Sequence, residues 1–267
     1  MAENNRNLSQ WLTMRVGRYT LSFSMPESEG RVTFEPYVVK SGVSLAANLR
    51  EAFKTADLLQ QPPTRVRVLI DSPMLMVPVE LFDEDTMAVM HNHAFPNCEQ
   101  DAVLYNVLPD LNAVAVFSVN KDLRLVIEDH FPTVKFISAV SPVWRHLHQR
   151  SYTGTRNKLY GYFHERRLEV FSFRQNRFKF CNSFDVPHVQ DALYFLLYVW
   201  KQLQLAPQYD ELHIVGDIPE REWLVDRLRT YLQKAYVVNP VADFSRAQVT
   251  GIKGMPYDLQ TLFVKGR

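Results

Sequence analysis

The sequence predicts an α/β protein with mixed β-sheets, built from two tandem halves. Three β-prone runs, an amphipathic helix and a further strand follow one another over residues 11–71, and the same order recurs over residues 157–217. The 267-residue chain is 46% hydrophobic, which is typical of a globular protein and excludes disordered and collagen-like proteins. We expect a first half at residues 1–150 and a more compact second half at residues 151–267, divided at a polar stretch around Gly154.

The first half begins with a predicted antiparallel sheet. Its strands lie at residues 11–16, 19–24 and 31–39. Apolar residues at helical spacing then predict a helix over residues 44–59, with Ser44 as its N-cap and Pro62-Pro63 beyond its end. A strand over residues 65–71 follows, and its apolar end indicates that it is buried.

The remainder of the first half adds an extra strand pair without a counterpart in the second half. The predicted strands of this pair lie at residues 102–108 and 113–119. Further helices are expected at residues 83–95, 121–131 and 142–149, and a further strand at residues 133–139.

The second half repeats the opening order of the first. Strands are predicted at residues 159–164, 168–173, 177–184 and 211–215, with a helix at residues 187–205. A helix at residues 219–236, a strand at 237–238 and a helix or strand at 257–264 complete the chain. Leu168 follows Leu21 by 147 residues, and Asp217 follows Asp71 by 146 residues. This nearly constant offset predicts an internal duplication.

Two local segments add a more specific signal to the element order. An apolar strand ends at Gly216-Asp217-Ile218-Pro219 before a helix, and a Val-Val-Asn-Pro segment at residues 237–240 follows that helix. Three antiparallel strands, helix, strand, helix, strand, helix is the ribonuclease H-like order, and two copies in tandem resemble the actin-like ATPase superfamily. The chain is most similar to a small uncharacterised bacterial family of unknown function assigned to that fold.

The sequence departs from this superfamily where its members bind phosphate. Members that hydrolyse ATP carry an Asp-x-Gly type turn between the first two strands of each half, which supplies a carboxylate for the metal and backbone N–H groups for phosphates. Here these turns are Val-Gly-Arg-Tyr at residues 16–19 and His-Glu-Arg-Arg at residues 164–167, and neither contains aspartate. Asp217 also replaces the second glycine that the superfamily places beside adenosine. We therefore expect no ATPase activity.

The resemblance implies a ligand-binding cleft between the two halves, lined by turn residues. The candidates are Gly17, Arg18, Asp71, Ser72, Glu165, Arg166, Arg167, Gly216 and Asp217. Asp71 follows the strand where the superfamily often places the group that positions attacking water, but without the phosphate turns it is explained more simply, with Ser72, as a turn cap. The resemblance allows ATP and magnesium as cofactors, but we do not expect them, and we assign no catalytic residue.

These features favour a non-catalytic interaction protein, or at most a weak nucleotide-binding protein. The pilus-assembly relatives suggest a protein or peptide partner that uses a strand edge. The alternative is a nucleotide hydrolase or kinase with Asp71 as base and arginines in place of the glycine turns.

A basic stretch between Arg156 and Lys179 supports a third function, which is nucleic-acid binding. It contains seven lysines and arginines against two glutamates, with six aromatic residues interleaved, and Phe180 follows directly after it. Rings of this kind stack on bases while arginines pair with phosphates. The alternation over residues 177–180 equally fits a half-buried strand, and the formal net charge of only +1 favours that explanation.

The histidine pairs and the ends of the chain carry little further chemistry. His91-x-His93 and His146-x-His148 cannot each hold one metal on a helix, because alternate helical residues point about 200° apart, so we expect no metal site. Residues 1–10 lack a signal-peptide pattern, the apolar run at residues 192–200 is too short to span a membrane, and two cysteines are too few for a disulfide scaffold. We therefore expect a cytoplasmic protein without a membrane span.

Overall fold

The computed structural model describes residues 11–27, 30–60, 64–152, 155–174 and 177–265. Three predictions fall on residues outside these ranges. They are the absence of a signal peptide at Met1–Gln10, the end of the first helix at Pro62-Pro63 and the boundary between halves at Gly154. The described residues divide into two compact units. Unit 1 comprises those within Met1–Val107, Val114–Ser141 and Gly251–Met255, and unit 2 those within Leu108–Ala113, Pro142–Thr250 and Pro256–Arg267. The predicted halves 1–150 and 151–267 stay a prediction.

Strands and helices alternate through most of the chain. The strands are β1 (Leu12–Val16), β2 (Leu21–Pro26), β3 (Val32–Tyr37), β4 (Arg65–Ile70), β5 (Met74–Pro78), β6 (Ala102–Leu108), β7 (Ala113–Val119), β8 (Thr133–Ser138), β9 (Lys158–His164), β10 (Arg167–Arg174), β11 (Arg177–Asp185), β12 (Glu211–Gly216) and β13 (Ala235–Val237). The helices are α1 (Leu45–Thr55), α2 (Asp57–Gln60), α3 (Met87–Ala94), α4 (Lys121–His130), α5 (Ser141–Ser151), α6 (Val189–Gln202), α7 (Arg221–Tyr231), α8 (Pro240–Asp243) and α9 (Tyr257–Lys265). Within the described ranges, no helix combines the length and the apolar character that crossing a membrane requires.

Unit 1 contains a five-stranded sheet in the order β3-β2-β1-β4-β8. β1 is buried along its whole length and pairs antiparallel with β2 and parallel with β4. β4 pairs parallel with β8. Helices α1 and α4 pack together, with the Phe53 and His130 rings stacked at 3.7 Å. The parallel strands therefore lie beside one another at one side of the sheet, which brings their carboxyl ends to a common edge.

The predicted single helix over residues 44–59 is wrong at its C-terminal end. Ser44 caps α1 as expected, accepting a hydrogen bond from the Ala47 N–H at 3.2 Å. The helix ends at Ala56, which is extended, and α2 starts afresh. The Glu35 carboxylate accepts both the Asp57 and the Leu58 N–H at 2.9 Å, so a residue from β3 caps the new helix.

A small sheet in unit 1 contains the predicted extra strand pair and a third strand. Its order is β5-β7-β6, so β7 is central and buried throughout. The sequence analysis did not predict β5, because this strand has only five residues, follows Pro73 and ends at Pro78. Val77, Val114 and Val116 form the core of this sheet with partly buried side chains from α3 and β6.

Unit 2 contains a sheet in the order β11-β10-β9-β12-β13, with the same strand directions as the first five-stranded sheet. Helices α6 and α7 cover a core that includes Leu159, Leu196 and Ile214. Gly161 allows this close packing, because a Cβ atom there would lie 3.2 Å from both Leu168 and Leu196 side chains. Residues 257–264, predicted as a helix or a strand, form the helix α9.

The backbone groups at the outer edge of β8 form hydrogen bonds with a side chain rather than with another strand. The Asn106 amide donates to the Phe136 carbonyl and accepts from the Ser138 N–H, both at 3.0 Å. One side chain on β6 thus supplies both hydrogen bonds that a paired residue would make, which links the small sheet to the large one.

We expect Asn106→Ala to lower the free energy of unfolding by about 1–3 kcal/mol, because two backbone groups lose their partners. Urea denaturation followed by circular dichroism measures this. Asn97→Ala is the control, since Asn97 is exposed in a short turn, and should change stability by less than about 0.5 kcal/mol. Equal stability of the two variants would show that water replaces the amide at β8.

Candidate functional site

In unit 1 the candidate residues Gly17, Arg18, Asp71 and Ser72 lie together at one edge of the large sheet. The Gly17 N–H donates to the Thr20 carbonyl at 2.8 Å, which closes the β1–β2 turn. The Arg18 guanidinium lies over the Tyr19 ring at 5.9 Å. The β1–β2 turn therefore presents an arginine stacked on an exposed tyrosine.

Asp71 and Ser72 are held against the same edge by backbone hydrogen bonds. The Asp71 N–H donates to the Val16 carbonyl at 2.9 Å, so the parallel pairing of β1 and β4 continues one residue beyond the strands. The Ser72 hydroxyl accepts from the Ser118 N–H at 3.3 Å, at the end of β7. Asp71 thus lies next to the β1–β2 turn, and Ser72 joins the small sheet to the large one.

In unit 2 the β9–β10 turn keeps an unusual backbone without glycine. His164 pairs with Arg167, which leaves Glu165 and Arg166 as a two-residue loop. Both have positive φ, 45° and 62°, the conformation of a type I′ hairpin that glycine and asparagine favour. Arg166 is exposed and its carbonyl accepts from the Val186 N–H at 2.8 Å, whereas Arg167 is buried. The turn therefore keeps a backbone conformation that glycine favours, although neither of its two residues is glycine.

The strand end at Gly216-Asp217 lies beside the same turn. Gly216 has a φ of 96°, and a Cβ atom there would stand 2.1 Å from the Phe163 carbonyl oxygen, so only glycine fits. The Asp217 N–H donates to that same oxygen at 2.9 Å. Glu165, Arg166, Gly216 and Asp217 therefore share one edge of the sheet in unit 2. Convergence of the unit 1 and unit 2 groups in one cleft stays a prediction.

Five of the aromatic rings in the basic stretch from Arg156 to Lys179 are not accessible for base stacking. Tyr160, Tyr162, Phe163, Phe171 and Phe173 are buried. Lys158 is also buried and donates to the Arg150 carbonyl at 3.3 Å, and burial lowers its pKa. Residues 175–176 and the Arg177 side chain lie outside the described part. Base stacking on these five rings is contradicted by their burial.

In the described residues, histidines of both pairs contact backbone carbonyls, rings or a carboxylate of the protein. The His91 ring lies 3.3 Å from the Pro73 carbonyl, and His148 packs against the Tyr152 and Phe173 rings. His146 Nε2 lies 2.6 Å from Asp243 Oδ2. Three of the four imidazoles thus contact protein groups that explain their positions, and His93 is exposed.

Sequence reasoning missed a buried polar network around Asp243 in unit 2. The Asp243 side chain is 3% exposed and pairs with His146. Arg150 donates to Asp243 Oδ1, and the Tyr257 hydroxyl donates to Oδ2 at 2.9 Å. These partners come from α5 and α9, and Arg150 lies 93 residues away along the chain. Asn239-Pro240 marked the local turn, but no local pattern indicates such distant partners.

Gly216→Ala should lower the free energy of unfolding by at least about 3 kcal/mol, because both the positive φ and the clash with Phe163 are imposed. Gly42→Ala imposes a φ of 77° without a neighbour within 4 Å, and should cost about 1–2 kcal/mol. Gly251→Ala has neither problem, and should change stability by less than about 0.5 kcal/mol. Thermal denaturation ranks the three. A Gly216→Ala loss no larger than that of Gly42→Ala would contradict the clash.

Arg166→Gly should raise the free energy of unfolding by about 0.5–1 kcal/mol. Relief of left-handed strain, about 1–2 kcal/mol, exceeds the extra freedom that glycine gives the unfolded chain. Arg166→Ala is the control, since it removes the guanidinium and keeps the strained φ. Chemical denaturation of both variants separates the two effects, and a destabilised Arg166→Gly protein would mean that the side chain supports the turn.

Comparisons with known proteins agree with this architecture. The model of the family "Protein of unknown function (DUF3822)" matches residues 3–235. A crystal structure from Bacteroides thetaiotaomicron, of a protein with actin-like ATPase fold and unknown function, is 26% identical, with a TM-score of 0.82 over 95% of this chain and 100% of that one. A chain of the PilM–PilN type IV pilus biogenesis complex is 12% identical, with a TM-score of 0.56 over 95% of this chain and 97% of that one. None of the curated proteins matches. The predicted fold class is confirmed: the chain belongs to the DUF3822 family of proteins of unknown function and has an actin-like ATPase fold.

Proposed function

We propose that this chain is a non-catalytic protein that binds a protein partner on an actin-like ATPase frame. The observation that carries the proposal is the β9–β10 turn, where Glu165 and Arg166 adopt positive φ without being glycine. A phosphate cradle needs backbone N–H groups that a ligand can approach. Here the turn carries two long side chains and no glycine, and neither hairpin turn contains an aspartate.

The charge at the end of β12 also supports a non-catalytic function. Asp217 is exposed at the position where a second glycine would border adenosine. Its carboxylate disfavours nearby phosphate groups, while Arg18 and Arg166 favour them. This combination is compatible with weak anion or nucleotide binding, but it lacks the metal site that phosphoryl transfer requires.

Protein binding is favoured by the structural likeness to a chain of the pilus complex. That structure is described as a complex of PilM with PilN. We propose that this chain likewise acts through another protein. Cys98 and Cys181, both within the described residues, form no disulfide bond, which is compatible with the reducing cytoplasm that we propose as its compartment.

We also propose that the two halves, residues 1–150 and 151–267, arose by duplication. The shared strand order supports this, as do the equivalent hydrogen bonds from Asp71 to Val16 and from Asp217 to Phe163. In this proposal the nine turn residues are remnants of a shared ligand cleft.

The second candidate function is a nucleotide hydrolase or kinase with Asp71 as base. The hydrogen bond from the Asp71 N–H to Val16 favours it, because it places this residue beside the β1–β2 turn. The two functions make opposite predictions for turnover.

We expect purified protein with ATP and magnesium to hydrolyse no more ATP than the buffer alone, measured as phosphate release. The reason is that neither hairpin turn contains the aspartate that binds the metal in members that hydrolyse ATP. Turnover at about 1 per second, a typical enzyme rate, that disappears in Asp71→Asn but persists in Asp129→Asn would contradict the proposal. Calorimetry with ATP and magnesium separately measures nucleotide binding.

A further inference from the structure

The charge of the chain is unevenly distributed along its sequence. Residues 68–120 contain eight aspartates and glutamates and no lysine or arginine, so all 30 basic residues lie elsewhere. The formal net charge of +1 does not show this uneven distribution. The segment from residue 68 to residue 120 includes the small sheet of unit 1 and α3.

Four carboxylates are exposed together between β5 and α3, and we call them the acidic face. They are Glu80, Asp83, Glu84 and Asp85. In the part of the chain that the structure describes, no ion pair neutralises Asp83, Glu84 or Asp85. Asp83 Oδ1 accepts the Asp85 N–H at 3.0 Å, and Glu84 accepts the Tyr105 hydroxyl at 3.2 Å, which raises the pKa of Tyr105. These hydrogen bonds position the carboxylates without cancelling their charge.

Exposed apolar side chains interrupt the acidic face. Val79 and Leu81 flank Glu80 and are 42% and 69% exposed, and Val89 on α3 is 71% exposed. α3 contains no charged residue, although surface helices normally carry charges on the outward face. An uncharged helix beside exposed leucine and valine is typical of a surface that another molecule covers.

We propose that the acidic face and α3 form a docking site for a basic amphipathic segment of a partner protein. Lysine or arginine side chains of that segment would pair with Asp83, Glu84 and Asp85. Its apolar side chains would cover Leu81 and Val89. This inference rests on the proposed function, because it gives the chemistry of the partner that a non-catalytic binding protein requires.

Charge complementarity selects a protein over the other macromolecules that bind cytoplasmic proteins. Nucleic-acid phosphates and anionic lipid headgroups are both repelled by the carboxylates of Asp83, Glu84 and Asp85, and residues 68–120 contain no lysine or arginine that would attract them. Isolated exposed ion pairs contribute little to affinity, so the carboxylates set specificity and association rate, while the apolar residues supply most of the stability of the complex.

The test uses a synthetic peptide as probe. A fluorescein-labelled 18-residue helix of lysine and leucine, with leucine at helical spacing, is titrated with the full chain and followed by fluorescence anisotropy. We expect saturable binding that is about tenfold weaker for Leu81→Ser. The triple variant Asp83→Asn, Glu84→Gln, Asp85→Asn should weaken it to a similar degree, and a glutamate–leucine peptide should not bind.

Matched variants on α4 serve as controls. Leu125→Ser removes another leucine that is 57% exposed, and Asp122→Asn, Glu128→Gln, Asp129→Asn removes three other exposed charges. Both should leave the peptide affinity within about twofold of wild type. Equal losses in the acidic-face and α4 variants would overturn the proposal.

The occupant is tested separately. Sedimentation should show no self-association of the wild-type chain through the acidic face. Self-association of this kind would be present in the wild type and absent in the acidic-face triple variant. Such self-association would overturn the proposal by making the occupant a second copy. Because none of these measurements involves ATP, their failure is distinguishable from ATP turnover, which contradicts the proposed function itself.

Discussion

The parallel pairing between the first and fourth strands of each five-stranded sheet is the constraint on which the rest of the structure depends. β1 pairs with β4 from Leu12–Val66 to Val16–Ile70, and β9 pairs with β12 in the same direction. A parallel pair requires a crossover, so the intervening helix must return across the sheet before the fourth strand begins. The candidate residues lie where they do because both strands of each pair end at the same edge.

Hydrogen bonds beyond the strands show how closely this register controls the site. The Asp71 N–H reaches the Val16 carbonyl, and the Asp217 N–H reaches the Phe163 carbonyl, each at 2.9 Å. A slip of one residue would turn the side chains of the fourth strand to the opposite face of the sheet. Packing in the core and the position of the turn residues are thus consequences of the same pairing.

The strands that positioned the candidate site could be predicted from sequence because they depend on local patterns. Alternation and helical spacing indicated β1, β4, β9 and β12 without knowledge of their partners. The break at Ala56, the Asn106 link and the Asp243 network could not be predicted, because their hydrogen-bond partners lie 14 to 97 residues away. For the site, the sequence indicated which residues occupy the turns, but not that Glu165 and Arg166 keep a glycine-like backbone.

That backbone separates what the fold requires from what a nucleotide would require. Gly216 is needed whether or not a ligand binds, because a Cβ atom would collide with the Phe163 carbonyl. Its presence therefore does not by itself favour nucleotide binding. The β9–β10 turn gives the converse case, because the hairpin geometry is kept at a cost in strain although neither loop residue is glycine. The fold therefore explains both features, and neither Gly216 nor the β9–β10 turn by itself distinguishes a chain that binds a nucleotide from one that does not.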